Sequence, residues 1–434
     1  MTLAYEGDKV YFVDCLNNPG SEIFYAPTLG ILMSVQKELS KKMKGHLSGE
    51  AVFEEFESLL DTTYDNRLPM TFEFDSMKSN YFHLALGITQ NCTLDCVYCH
   101  ASAGIDETMP EQLIMDAIDY SISNIKEQKL KGLNVSFAVG GEPTYNFELF
   151  ELTIRKIRDE CKKNEIPCNI SITTNGFYPD SVATFVAENI DSVLLSLDGL
   201  EDVQNAHRPA RNGGKTFGQI IRSLDIFYKV KGEVAVRSTV SNHSVTKLKP
   251  FADFLYGRYG SNVTLVLEPL IPIGKGENLK RDSGLEAEPI EPSVEKFGSE
   301  FWELYCENEN RKMKIDTSAL KSERITSGFC GAMYIPSFTV TTKGLITTCE
   351  RDSSGANYSY GKYDADSRTF VLDQDAIERN RNNLKLPSKC EQCICLYHCA
   401  GDCPDVRAIG YDRCTLVRDL LIKKLSRELD ERRT

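Results

Sequence analysis

Cys92-Thr93-Leu94-Asp95-Cys96-Val97-Tyr98-Cys99 is the stretch on which the reading of this chain turns. It sets three thiols within eight residues, spaced C-x3-C-x2-C, with no fourth cysteine alongside. Structural zinc closes a tetrahedron of four ligands, so three thiols in one loop leave a metal site open. The apolar run Phe82–Thr89 lies just upstream and reads as a strand, which places the thiols in the loop that follows it.

The chain holds fifteen cysteines in 434 residues. At roughly 150 residues per domain this is room for about three domains. No segment approaches the roughly 18 apolar residues of a membrane span, and Met1–Asp8 is too polar and acidic for a signal peptide. The expectation is a cytoplasmic protein. A reducing cytosol does not need so many cysteines as disulfides, so many of them should hold metal. With 50 basic against 63 acidic residues the net charge is −13, which argues against a nucleic-acid face, because phosphate binding needs a basic stripe.

Short apolar strands are expected at Phe82–Thr89, Val135–Val139, Ile170–Thr174, Val193–Leu197, Val234–Val240 and Val263–Leu267. Amphipathic stretches near 110–129, 147–163, 180–189, 216–230 and 246–257 lie between them. In the second, Phe147, Phe150, Ile154, Ile157 and Cys161 recur at three- and four-residue steps, one helix face. Repeated βα units predict parallel strands with right-handed crossovers, an α/β fold built as a partial (β/α)6 barrel. Cys161 and Cys168 read as core or strand-edge thiols. Functional groups of such a barrel sit where strands end. The cysteine loop follows the first strand, Gly140-Gly141-Glu142-Pro143 the second, Thr173-Thr174-Asn175-Gly176 the third and Ser196-Leu197-Asp198-Gly199 the fourth. A Gly-Gly pair lets backbone approach a ligand and leaves carbonyls to accept from an ammonium group.

The C-x3-C-x2-C spacing, with the GGEP turn about fifty residues on, resembles the radical S-adenosylmethionine (SAM) superfamily. The resemblance implies that Cys92, Cys96 and Cys99 fix three irons of a 4Fe–4S cluster. S-adenosyl-L-methionine then chelates the fourth through its amino and carboxylate groups, and one electron cleaves it to a 5′-deoxyadenosyl radical. It implies that Tyr98 lies near the adenine, that Gly140, Gly141, Glu142 and Pro143 face the ammonium, and that Thr174, Asn175, Ser196 and Asp198 lie where ribose and the amino-acid moiety bind. Asn175 and Asp198 each precede glycine, so an Asx-turn role is the alternative. Arg211 is a candidate for the methionine carboxylate or a solvated charge. Arg237 points into the barrel or pairs with an acid.

Cys330, Cys349, Cys390, Cys393, Cys399, Cys403 and Cys414 form a second group, with C-x2-C-x5-C-x3-C at its centre. Pairs of this spacing also read as zinc ribbons. The group is similar to the seven-cysteine SPASM domain, which implies two auxiliary 4Fe–4S clusters. Cys390, Cys393, Cys399 and Cys414 would close the outer one; Cys330, Cys349 and Cys403 would hold the inner one. Three clusters would then use ten thiolates. The fourth inner ligand is Cys306, Cys395 or an open position. Glu350, directly after Cys349, stands where sulfatase-maturing relatives carry a base; a charged turn is the alternative.

In the first eighty residues, Val10–Val13 and Glu22–Tyr25 can pair across Asn17–Gly20, with helices near 28–42 and 50–60, the latter opened by Ser48. The order resembles the RiPP recognition element, which adds a leader peptide to its sheet edge; a plain cap over the barrel is the rival, and Cys15 reads as an ordinary thiol. The expected division is an N-terminal α+β module at 1–78, the barrel at 79–285, a helical linker at 286–329 and the SPASM domain at 330–434. The leading expectation is a radical SAM/SPASM maturase. It would abstract hydrogen from a ribosomal precursor peptide to form a thioether, C–C or C–O crosslink, fed by an electron donor of flavodoxin or ferredoxin type. An anaerobic sulfatase maturase forming formylglycine and a non-enzymatic zinc scaffold are the alternatives.

Overall fold

A computed structural model describes the chain except for residues 6, 69, 71–78, 102, 274, 276–289, 322–324, 331–336, 384 and 433–434. It resolves into two compact units. One comprises 1–76, 318–330 and 384–434, and the other 77–317 and 331–383.

The first unit opens with β1 (Thr2–Tyr5), β2 (Asp8–Asp14), β3 (Ser21–Ala26) and β4 (Ile31–Gln36), an antiparallel sheet in that order, followed by α1 (Lys37–Leu47) and α2 (Glu54–Tyr64). Phe12 faces Phe24 across the β2–β3 pair, and both pack with Val35, Met43, Phe56 and Leu60. The helix expected at 28–42 does not form over its first half. Leu29, Leu32 and Val35 have helical spacing, but Ile31, Met33 and Val35 also alternate, and pairing with β3 wins because it satisfies that strand's backbone. Gly30, at φ 69°, turns the chain into β4. Ser48 caps the C-terminus of α1 and does not open α2, which starts at Glu54.

In the second unit β5 (Tyr81–Leu86), α3 (Glu111–Gln128), β6 (Gly132–Phe137), α4 (Phe147–Lys163), β7 (Cys168–Thr174), α5 (Asp180–Asn189) and β8 (Ser192–Ser196) alternate. The pattern continues through α6 (Glu201–His207), α7 (Phe217–Lys231), β9 (Val234–Val240), α8 (Leu248–Tyr259) and β10 (Val263–Pro269). The six strands pair in parallel in sequence order. Then come α9 (Val294–Glu307) and β11 (Lys314–Asp316), which pairs with β10. On the other side β12 (Phe338–Val340) runs parallel to β5 and continues antiparallel into β13 (Leu345–Thr347), β14 (Ser359–Asp364) and β15 (Thr369–Leu372), before α10 (Gln374–Asn383). The periodicity behind α3 is plain: Leu113, Ile114, Ala117, Ile118, Ile122 and Ile125 share a buried face. Each such aliphatic side chain contributes about 1.5–3 kcal/mol by leaving water. On β9, Val234, Val236, Ser238 and Val240 are buried and Ala235, Arg237 and Thr239 take the opposite face. The expected strands and helices of this region all appear, displaced by a few residues; the short α6 was not among them.

The chain then returns to the first unit through α11 (Leu396–Cys399), α12 (Pro404–Ala408) and α13 (Cys414–Glu431). Tyr25 of β3 hydrogen-bonds His398 Nε2 at 2.6 Å, and the His398 Nδ1 side meets the Lys321 carbonyl at 2.9 Å. Arg413, almost wholly buried, clasps Asp402 through Nη2 at 2.5 Å and Nε at 3.1 Å. This fixes the turn between Cys399 and Cys414, where Ala400, Gly401 and Asp402 all adopt positive φ. Of the segment 330–434, residues 331–383 lie in the second unit and 330 and 384–434 in the first.

Candidate active site

The loop after β5 carries the three thiols, and each sulfur receives one N–H from a different segment. Asn175 Nδ2 stands 3.6 Å from Cys92 Sγ, Arg208 Nη1 3.9 Å from Cys96 Sγ, and the Ala103 amide 3.4 Å from Cys99 Sγ. Burial pushes the Cys92 thiol up to about 11 and the Cys96 thiol up to about 12. A thiolate held there at neutral pH needs a metal to carry its charge. An all-sulfur donor set, each member supported by a hydrogen bond, fits an iron–sulfur cluster. Among the described residues no three Cys, His, Asp or Glu groups converge as ligands of one ion; a four-iron cube spreads its thiolates over separate irons.

Gly140-Gly141-Glu142-Pro143 lies against this loop. The Gly141 amide donates to Thr89 O and the Glu142 amide to Asn91 O, both at 2.8 Å. A Cβ on Gly141 would fall 2.0 Å from Asn91 O, so only glycine permits this approach. Glu142 is buried, which pushes its carboxyl up. Donors oppose that shift: Asn175 N and Thr174 Oγ1 at 2.8 Å, and Thr144 through Oγ1 at 2.8 Å and N at 3.3 Å. Glu142 thus ties the end of β6 to the end of β7. Pro143 opens the short 3-10 turn that follows. Asn175 has two roles at once. Its Oδ1 accepts the Phe177 amide at 2.8 Å, an Asx turn, while its amide group turns to Thr93 and Cys92.

Asp198 lies beyond β8, fully buried. Its Oδ2 accepts from Tyr98 OH and faces His207 Nδ1 and Arg208 Nε at 3.1 Å each, and its Oδ1 accepts the Thr239 amide at 2.9 Å. Burial alone would push its carboxyl up, but Arg208 and His207 outweigh burial and hold it well below the usual carboxylate range. On its other side His207 Nε2 meets Ser241 Oγ at 2.9 Å, so the ring bridges Asp198 and Ser241. The Arg208 guanidinium also stands over the Tyr98 ring, 5.4 Å from its centroid. Sequence reasoning passed over Arg208 for Arg211, three residues on in the same loop. Arg211 donates to Cys92 O and Ala103 O at 2.8 Å each and so braces the cysteine loop. Only the contacts separate the two arginines. Ser196, buried, ends β8 in register with Arg237.

Glu350 follows β13 and accepts from Ser136 Oγ of β6 at 3.0 Å; burial pushes its carboxyl up. His100, directly after Cys99, has its pKa lowered to about 4 by burial and then by Arg351, Arg237 and Arg208. Within the first unit Cys390, Cys393, Cys399 and Cys414 lie within electrostatic reach of one another. Burial, then Asp402 and the other three sulfurs, pushes the Cys399 thiol up to about 12. Cys395, buried, hydrogen-bonds Cys393. Cys330 and Cys403 belong to the first unit, Cys349 and Cys306 to the second. Cys161 and Cys168, both free thiols, hydrogen-bond to each other at the end of α4 and the start of β7.

Residues 86–248 match the radical SAM superfamily. The chain is similar to an uncharacterised protein of Methanocaldococcus jannaschii, 32% identical over 184 residues, or 42% of this chain and 59% of that protein. It is also similar to a cysteine-type anaerobic sulfatase-maturating enzyme of Clostridium perfringens, 23% identical over 331 residues, 73% of this chain and 86% of that one. The first of these matches spans less than two thirds of the relative's length. Two solved structures share the fold. Native anSMEcpe with bound AdoMet and Kp18Cys peptide gives a TM-score of 0.60 at 18% identity over 81% of this chain and 99% of its own. Streptococcus suis SuiB bound to precursor peptide SuiA gives 0.53 at 15% identity over 95% of this chain and 98% of its own. A parallel barrel, three supported thiols after its first strand and these likenesses agree: across residues 86–248 the chain carries the enzyme domain of the radical SAM superfamily.

Proposed function

We propose that this chain modifies a ribosomally made peptide by abstracting hydrogen from one residue and joining it in a thioether, C–C or C–O link. The observation that carries the reading is the support of Cys92, Cys96 and Cys99 by three separate N–H donors beside the Gly140–Pro143 turn. When bound, S-adenosyl-L-methionine on a reduced 4Fe–4S cluster supplies a 5′-deoxyadenosyl radical. The protein's own groups bind and orient. The three cysteines hold three irons, the Gly140 and Gly141 backbone accepts from the methionine ammonium, and Thr174, Asn175 and Ser196 line the amino-acid and ribose end. Tyr98, held by Asp198, flanks the adenine. Asp198, which holds Tyr98, would also stand at the ribose and amino-acid end, and Arg211, whose Nε and Nη2 brace the cysteine loop, would face the methionine carboxylate.

Cys390, Cys393, Cys399 and Cys414 would hold one auxiliary 4Fe–4S cluster and Cys330, Cys349 and Cys403 another, which would supply an acceptor for the one electron that the substrate radical gives up as it is oxidised. A flavodoxin- or ferredoxin-type donor would reduce the first cluster. Glu350, beside Cys349, would take the substrate proton. A peptide substrate is supported by the solved structures of that fold that hold one, SuiB with SuiA and anSMEcpe with Kp18Cys. The β1–β4 sheet is suited to take a leader peptide along an edge. Among the described residues no helix is long and apolar enough to cross a membrane, which suits a cytoplasmic site of action. The sulfatase-maturase reading is favoured by one observation, a carboxyl-bearing residue directly after Cys349 held against the barrel strand by Ser136.

The test is anaerobic. Reconstituted protein given SAM and dithionite should release 5′-deoxyadenosine, and the Cys92→Ala/Cys96→Ala/Cys99→Ala protein should not. The wild type should bind about twelve irons and the triple variant about eight, four to a cube. Release of 5′-deoxyadenosine by the variant refutes the assignment, and a stable four-iron wild type refutes the auxiliary clusters.

A further inference from the structure

Resting on the auxiliary-cluster part of that reading, we propose that Tyr11 of β2 donates its hydroxyl proton to a sulfur of the cluster at Cys393. The N-terminal sheet would thereby help to set the potential of that cluster. Tyr11 stands in mid-strand between Val10 and Phe12, which pack in the core with α1 and α2. Its own side chain takes the opposite face of the sheet. There it lies beside Tyr25, its register partner on β3, with the two rings 6.5 Å apart. That face meets the segment 384–434 of the same unit: Tyr25 bonds His398, and the Lys9 amide donates to Tyr397 OH at 3.3 Å. Cys393, Cys395, Tyr397 and Tyr25 all stand within electrostatic reach of the Tyr11 hydroxyl.

Tyr11 is 1% exposed, and among the described residues nothing hydrogen-bonds its hydroxyl. An unpaired buried hydroxyl is costly, and phenylalanine would fill the same space without that cost. The oxygens beside it already have partners: Tyr25 OH has His398 Nε2 at 2.6 Å, and Tyr397 OH has the Lys9 amide. What the surroundings offer instead is sulfur. Arg418 of α13 and Cys395 both hydrogen-bond Cys393, so donors already gather on this side chain. A thiolate on iron keeps negative charge and lone pairs in a buried place, and outer donors of this kind tune the metal. The unpaired hydroxyl is thus explained by an acceptor that arrives with the cluster. Its hydrogen bond favours the reduced, more negative state and raises the potential.

The experiment is an EPR-monitored redox titration of reconstituted full-length protein, in which the first cluster is recognised by the change in its signal when SAM is added. In Tyr11→Phe one auxiliary cluster should be reduced about tenfold less favourably, a fall of about 59 mV in its midpoint. The other two midpoints should stay as in the wild type. A ring-fluorinated tyrosine placed at position 11 keeps the side chain but donates more strongly, so it should move the same midpoint upward. A role in packing alone would not give opposite shifts. A midpoint that stays put in either variant, or moves the same way in both, overturns the proposal, as does a shift confined to the first cluster. Should Tyr11→Phe shed the cluster, the fluorinated protein decides by the same criterion. Iron is counted on the wild-type sample. About four irons brings down the auxiliary clusters and this inference with them, whereas about twelve with unmoved midpoints removes this inference alone.

Discussion

Asn175 reaches from the turn after β7 to Cys92 in the loop after β5, its Nδ2 3.6 Å from Sγ, while its Oδ1 closes its own turn on the Phe177 amide. One side chain therefore shapes a strand end and solvates a sulfur. Hydrogen bonds to cluster sulfurs stabilise the reduced, more negative state and raise the potential. Asn175→Ala should lower the midpoint potential of the first cluster by about 20–60 mV, the one-electron equivalent of a net hydrogen bond of about 0.5–1.5 kcal/mol. An EPR-monitored redox titration of wild type and variant reads this directly. An unchanged potential would leave Asn175 as a turn residue only.

Asp198 is the anion on which Tyr98, His207 and Arg208 converge. Removing one partner of a buried pair leaves the other charge unpaired, at about 3–5 kcal/mol. Asp198→Ala should lose that much in urea denaturation of the metal-free protein. Glu201→Ala, which breaks the exposed pair with Lys215, should lose less than about 1 kcal/mol. Similar losses for the two would mean that the Asp198 network does not hold the loop.

Gly141 has the closest backbone approach at the site: an added Cβ meets Asn91 O at 2.0 Å, and backbone cannot rotate aside. Gly141→Ala should cost about 3 kcal/mol or more through overpacking and abolish 5′-deoxyadenosine release. Gly218→Ala, on α7 with open space around it, should be neutral or slightly stabilising. Thermal melts and product assays of both variants check this; a Gly141→Ala protein with full activity would show that the turn can move.

The barrel was legible because β5 to β10 and their helices write their burial into period-2 and period-3.6 patterns, and because each motif falls at a strand end, where a parallel barrel gathers its loops. The thiol loop and the GGEP turn were legible for the same reason. Less so was β4, whose Leu29, Leu32 and Val35 imitate a helix until the partner strand β3 is known. The composition of the first unit was not legible at all. Tyr25 and His398 meet across 373 positions, and no local pattern records such a pairing. Because Tyr25 meets His398 and β4 meets α13 within that unit, point variants on the sheet are a better probe of leader binding than deletion of the segment. Arg208 and Arg211 look alike in sequence, and only their partners distinguish them.

His100 offers a test by pH. In the unfolded chain its imidazole titrates near 6.5, whereas in the folded protein burial and the facing arginines hold it at about 4. The folded state thus binds fewer protons than the unfolded one between these values. Above pH 6.5 both states are neutral and nothing is lost; as pH falls from 6.5 to 4 the unfolded state gains a proton that the folded state refuses, and stability declines; below 4 the loss levels off. His100→Asn should flatten that decline, with a smaller effect at pH 8. Arg237→Gln removes one like charge facing the ring and so raises the folded-state value; the decline should still begin at about pH 6.5 but level off at a higher pH and be smaller in total. Denaturation midpoints of metal-free wild type and both variants at pH 4.5, 5.5 and 8 decide the matter. A His100→Asn slope equal to that of the wild type would mean that the fold does not hold the ring neutral.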